Sequence, residues 1–132
     1  MVLIDTNILV YLLVDGDRTK AAHALFARDP DWRSEDFLLI ESSNVIATFV
    51  RMKLLTRMQG NALLGEATKR MTGLIALPHS QALDTAIEFG ISAYDARFIG
   101  LAKQLGAKLV TEDTKLRAAV PTWTRSLAQA IA

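Results

Sequence analysis

Four carboxylates occupy places where an acid side chain can do chemistry. Asp5 and Asp113 each close a short apolar run, Met1 to Ile4 and Ala107 to Val110, of the kind that forms a buried strand. Each suits the cap of a following helix, and each also sets an ionisable group at a strand end. Glu41 and Asp95 lie inside helical patterns. Counted by threes and fours, Glu41 falls in register with Leu38, Val45 and Phe49, and Asp95 with Phe98, Ile99 and Ala102. Both therefore belong to apolar faces rather than to the water side. Acid side chains are almost never buried alone, because taking a charge out of water is strongly unfavourable. One source of compensation is an ion pair, with Arg97 and Lys115 as partners. The other is convergence of the four acids. Two like charges about 5 Å apart repel by roughly 3 kcal/mol at an effective dielectric of about 20, so such a cluster either takes up protons or holds a divalent cation. With oxygen ligands alone, hard ions such as Mg2+ or Mn2+ are the natural occupants.

The competing chemistries are thin. The chain has no cysteine, which excludes thiolate nucleophiles, disulfides, Cys-ligated zinc and iron–sulfur clusters. Its two histidines, His23 in mid-helix and His79 after Pro78, lack ligand spacing and read as structural or surface residues.

The elements that must position the acids follow from periodicity and punctuation. Met1 to Ile4 reads as a strand, with Asp5-Thr6-Asn7 as a turn or helix start. Asp17 to Ala27 is an amphipathic helix with Asp17 as its N-cap, and Asp29 to Asp36 is a polar stretch holding Trp32. Helices are expected over Phe37 to Met52 and Asn61 to Met71, followed by a buried strand, Leu74 to Leu77, stopped by Pro78. Ser80 and Gly90 bracket one further helix. Ser92 and Gly106 bracket another, whose buried face runs through Tyr94, Phe98, Ile99, Leu101, Ala102 and Leu105. The strand Ala107 to Val110, a short helix Thr114 to Ala119 and a helical tail complete the chain. Short non-alternating apolar runs separated by helices mark parallel strands covered on both faces, so an α/β three-layer sandwich is expected. Such sheets bind ligands beyond the carboxyl ends of their strands, where Asp5 and Asp113 stand.

A length of 132 residues suits one core, so residues 1–132 are expected to form a single domain. With 51% apolar and 22% charged residues the chain is not of the disordered class. Its longest apolar stretches, such as Ile8 to Val14, fall short of the roughly 20 residues of a membrane span. No basic segment precedes an apolar leader. A soluble, cytoplasmic protein with no membrane partner is expected. The net charge of +1 favours no class of partner, but no acid occurs from Ser42 to Gly65, where Arg51, Lys53 and Arg57 fall. That segment reads as a solvated helix face or as a contact for nucleic acid.

Asp5-Thr6-Asn7 after an N-terminal strand, Glu41 in a long helix, Ser92-Ala93-Tyr94-Asp95-Ala96 opening another, and Thr111-Glu112-Asp113 closing a late strand together resemble the PIN domain, and most nearly the VapC-type toxins of toxin–antitoxin pairs. The resemblance spans nearly the whole chain and rests on the order and spacing of motifs that are individually weak. It implies an α/β/α sandwich with a mainly parallel sheet, Mg2+- or Mn2+-dependent endoribonuclease activity, homodimers, and a small cognate antitoxin whose tail covers the cleft. Carried over by position, the acidic quartet is Asp5, Glu41, Asp95 and Asp113, with Thr6 and Thr111 as polar helpers near the metal and Asn7 as the turn residue. Glu112 should point to the opposite face from Asp113 and is left out of the site.

An acidic site repels RNA, so basic groups at its rim must supply affinity, and Arg51, Lys53, Arg57 and Arg97 are the candidates. Aromatic content is 7%, and no interleaved Phe/Tyr platform for stacking bases is evident along the chain. Two other readings compete. A receiver-like phosphoacceptor needs an acidic pair after the first strand and a lysine after a late one, an arrangement that neither Asp5-Thr6-Asn7 nor Thr111-Glu112-Asp113 supplies. A non-catalytic RNA- or protein-binding module would use the same acids as caps and ion-pair members, and the apolar Ile8 to Leu13 segment would suit a partner or a second subunit.

Overall fold

A computed structural model describes residues 1–132. The chain alternates strand and helix: β1 (Val2–Ile4), α1 (Thr6–Leu13), α2 (Thr19–Arg28), β2 (Trp32–Glu35), α3 (Phe37–Arg51), α4 (Arg57–Arg70), β3 (Gly73–Ile75), α5 (His79–Phe89), α6 (Ala93–Leu105), β4 (Leu109–Val110), α7 (Thr114–Ala119), a 3-10 turn (Pro121–Trp123), β5 (Thr124–Arg125) and α8 (Leu127–Ile131). The five strands form one sheet in the order β3-β2-β1-β4-β5, and every pairing is parallel. Helices cover both faces, giving the expected three-layer α/β/α sandwich. Among them, α1 packs on α2 and α3, α2 on α8, and α6 on α5 and β2. No helix is long and apolar enough to cross a membrane.

The core explains the sheet order. Val2, Leu3 and Ile4 are all buried, as a central strand with helices on both faces requires. Phe98, Ile99, Leu101 and Ala102 of α6 are buried beside Leu109 and Val110 of β4. Burying each large side chain contributes roughly 1.5–3 kcal/mol. Gly90 and Gly106 end α5 and α6 in the left-handed conformation, both at φ +64°, where a side chain would be strained.

Several expectations shift. The polar stretch around Trp32 holds β2, a strand between β1 and β3. Its two buried polar residues find partners across the fold: Ser34 Oγ donates to the Ile4 carbonyl at 2.7 Å, and Glu35 accepts from the Phe37 N–H at 3.1 Å. The helix α2 starts at Thr19 rather than at Asp17, because the Thr19 hydroxyl accepts from the Gly16 N–H and donates to the Val14 carbonyl, folding the preceding residues into a turn. The helix α4 starts at Arg57, earlier than expected, on a capping box in which Thr56 and Gln59 each accept the other's backbone N–H. Tyr94, expected on the buried face of α6, is 64% exposed.

Candidate active site

In a sheet ordered β3-β2-β1-β4-β5, the chain leaves β1 toward one side and later returns to pair β4 on the other. A crevice opens at such a switch point, beyond the carboxyl ends of the strands. Asp5 directly follows β1, and Asp113 stands just past β4 and opens α7. Glu41 is on α3, the helix after β2, and Asp95 is in the first turn of α6, where Ser92 caps the helix by accepting the Asp95 N–H at 3.0 Å. All four carboxylates line one cavity of about 640 Å³. The structure thus brings together the four acids that the sequence singles out.

Asp5 and Asp113 also cap helices. Asp5 Oδ1 accepts from the Ile8 N–H at 3.4 Å, and Asp113 Oδ1 from the Leu116 N–H at 3.0 Å. The two threonines sit against the acids. Thr6 Oγ1 donates to Glu41 Oε1 at 2.7 Å, and the fully buried Thr111 accepts the Asp113 N–H on its Oγ1 at 3.1 Å. In this arrangement no three of the chain's acids and histidines converge closely enough to grip one ion. The lining offers four carboxylates, the Thr6 hydroxyl and the amide oxygens of Asn7 and Asn44, with no imidazole or thiolate, the donor chemistry of a hard divalent cation.

None of the four carboxylates forms an ion pair with an arginine or lysine. Burial pushes the Asp5 pKa up to about 7 against the hydrogen bonds from Thr111 and Ile8, with repulsion from Glu41 and Asp95 adding to the rise. Burial also raises Glu41, opposed by the Thr6 hydroxyl and helped by Asp95. Asp95 rises through burial and then through repulsion from Asp113. The acids feel one another, and no arginine or lysine is paired with them to offset the charge.

The cationic candidates stand elsewhere. Arg97 turns away: its Nη1 reaches Glu35 Oε2 at 3.4 Å and the Leu77 carbonyl at 3.3 Å, and its Nη2 lies 2.6 Å from His79 Nδ1. Its guanidinium is therefore committed within the chain. Arg51, Lys53 and Arg57 are exposed where α3 gives way to α4, and Arg51 stands about 15 Å from Glu41 as measured along ten residues of helix. Glu112 pairs with Arg18 at 3.2 Å and accepts the Leu127 N–H at 3.3 Å, tying α8 down outside the cavity.

Sequence reasoning missed the apolar wall. Phe37 and Ile40 of α3 line the cavity with Tyr94, and the rings of Phe37 and Tyr94 stack 5.4 Å apart at 9°. The two residues are far apart in the chain, so no local pattern pairs them. The only signal was that each opens a helix bearing one of the acids. Asn7, in the first turn of α1, and Asn44, one turn beyond Glu41, add exposed amides to the lining.

The PIN domain family model matches residues 2–120. Ribonuclease VapC3 of Pyrobaculum aerophilum is 24% identical over 122 residues, covering 89% of this chain and 93% of that protein. The crystal structure of PAE2754 from the same organism superposes with a TM-score of 0.76 at 21% identity, covering 98% of this chain and 90% of that one, and shares the fold.

Proposed function

The chain belongs to the PIN-domain family, and from that premise we propose that it is a Mg2+- or Mn2+-dependent endoribonuclease acting as the toxin of a VapBC-type pair. The observation that carries this reading is the cluster of Asp5, Glu41, Asp95 and Asp113 around one cavity at the switch point of the sheet, with no arginine or lysine paired to any of them. Similarity to a ribonuclease over most of both chains supports it.

Asp5, Glu41 and Asp95 would hold the principal ion, and Asp113 would contribute directly or through water. A divalent cation there would acidify an attacking water, neutralise charge growing on the phosphoryl oxygens and stabilise the departing 3′ oxygen. Thr6 would orient Glu41 toward the ion by donating to Oε1. Thr111 fixes the start of α7 by accepting the Asp113 N–H. No histidine or lysine base is needed. Water attack leaves 5′-phosphate and 3′-hydroxyl ends, whereas a 2′,3′-cyclic phosphate would contradict the scheme.

Residues 1–132 are read as one PIN-like domain. The family relationship further suggests a small cognate antitoxin, a homodimer and a cytoplasmic setting. The test is cleavage of a mixed RNA pool by purified protein with Mn2+, Mg2+ or EDTA, beside a folded Asp5→Asn, Asp95→Asn double variant. Cleavage that needs metal and is lost in the variant supports the reading. Absence of cleavage, together with no thermal stabilisation by either ion, would leave the acids structural and favour a binding module.

A further inference from the structure

We propose that Tyr94, backed by Phe37, is a stacking platform for one unpaired nucleobase of the RNA, beside the phosphate presented to the acidic cluster. The inference rests on the endoribonuclease reading and adds a residue that fixes substrate form.

Tyr94 directly precedes Asp95 in the first turn of α6, and Phe37 opens the helix that carries Glu41. Their nearly parallel rings, 5.4 Å apart at 9°, bridge the two helices at the wall of the cavity that the four carboxylates line. Phe37 supports one face of Tyr94, yet the tyrosine remains 64% exposed. Ile40, one turn after Phe37, lines the same wall at 63% exposure. A large apolar side chain gains most from burial, and these two are left open beside a charged cavity. The occupant must therefore be flat and apolar on its faces while joined to an anion that a cation-loaded acidic cluster would bind. A nucleotide in an unpaired strand has that form. Every base offers a π-face, so the platform accepts any base but only one freed from pairing. A tyrosine already braced by a second ring loses little side-chain freedom when a base lands on it.

The test uses the wild-type protein with Ca2+ in place of Mg2+ or Mn2+, a larger oxygen-seeking ion that should fill the acidic cluster without supporting cleavage, and a single-stranded oligoribonucleotide carrying 2-aminopurine. Stacking on Tyr94 should quench the fluorescence. Adding Tyr94→Ala should abolish the quench and weaken Kd on the order of tenfold, Tyr94→Phe should restore both, and a duplex of the same sequence should bind equally to all three. Full single-strand affinity and quenching in Tyr94→Ala would overturn the platform while leaving the nuclease reading intact. Equal losses on single strand and duplex would assign Tyr94 a structural role instead, and thermal melting of each variant separates that from unfolding. If the parent protein binds no RNA, the nuclease reading falls and the platform with it. If in that case Tyr94→Ala abolishes capture of an apolar peptide, the wall is a protein-docking face.

Discussion

Glu35, buried at the end of β2, accepts from Arg97 of α6 at 3.4 Å, and its other oxygen accepts the Phe37 N–H at 3.1 Å. One carboxylate thus ties the helix bearing Asp95 to the start of the helix bearing Glu41. Removing one partner of a buried pair strands the other charge. Glu35→Ala should lose about 3 kcal/mol of stability, roughly 10 °C in Tm for a chain of this length. A Glu35→Leu, Arg97→Leu double variant should recover part of that loss, and denaturant unfolding of the three proteins reads it. Equal stability of Glu35→Ala and wild type would show that the pair holds nothing together.

The raised acids make stability depend on pH in a defined sense. Asp5 has its pKa near 7 in the fold against 3.8 ordinarily, so between those values the folded state binds more protons than the unfolded one. Stability of the metal-free protein then falls as pH rises across that window and levels off above it. Glu41 and Asp95, shifted the same way, steepen the fall. Asp5→Asn keeps a capping side chain and removes the charge. It should raise Tm at pH 8 by roughly 12 °C, an effect of about 4 kcal/mol, and change little at pH 4. A metal-free wild type more stable at pH 8 than at pH 5 would contradict the shared-charge account.

Arg51, Lys53 and Arg57 are exposed at the α3–α4 junction rather than at the cavity mouth. As phosphate contacts they would serve nucleotides remote from the cut. Reversing Arg51 and Arg57 to glutamate should weaken RNA binding and lower the slope of log K against log salt by about 1.4, at roughly 0.7 per lost single-strand contact. An unchanged slope would return both to an ordinary solvated face.

The four acids that line the cavity stand out in the sequence because their signals are local. Glu41 and Asp95 break apolar stripes at helical spacing, and Asp5 and Asp113 end strands, so each stands out within a few residues of chain. What remained hidden depends on contacts across the fold. The strand β2 reads as polar because Ser34 and Glu35 are satisfied only by Ile4, Phe37 and Arg97 once folded. The strand β5 has two residues, too few for any periodicity. Tyr94 matches the buried stripe of α6 in spacing but lies in the first turn, where its neighbour is Phe37 rather than the core. Arg97 offered itself as a rim cation because its partner Glu35 lay in the unread strand.

The central claim, that four carboxylates form one cation site, is tested most directly by calorimetric titration of Mn2+ into metal-free protein at pH 7, in buffers of different ionisation heat. Asp5 is near half-protonated at that pH, so binding should expel about half a proton from it. Both the binding heat and the proton release should disappear in the folded Asp5→Asn, Asp95→Asn variant. Failure of the folded wild type to bind Mn2+, or undiminished binding by the variant, would contradict the account.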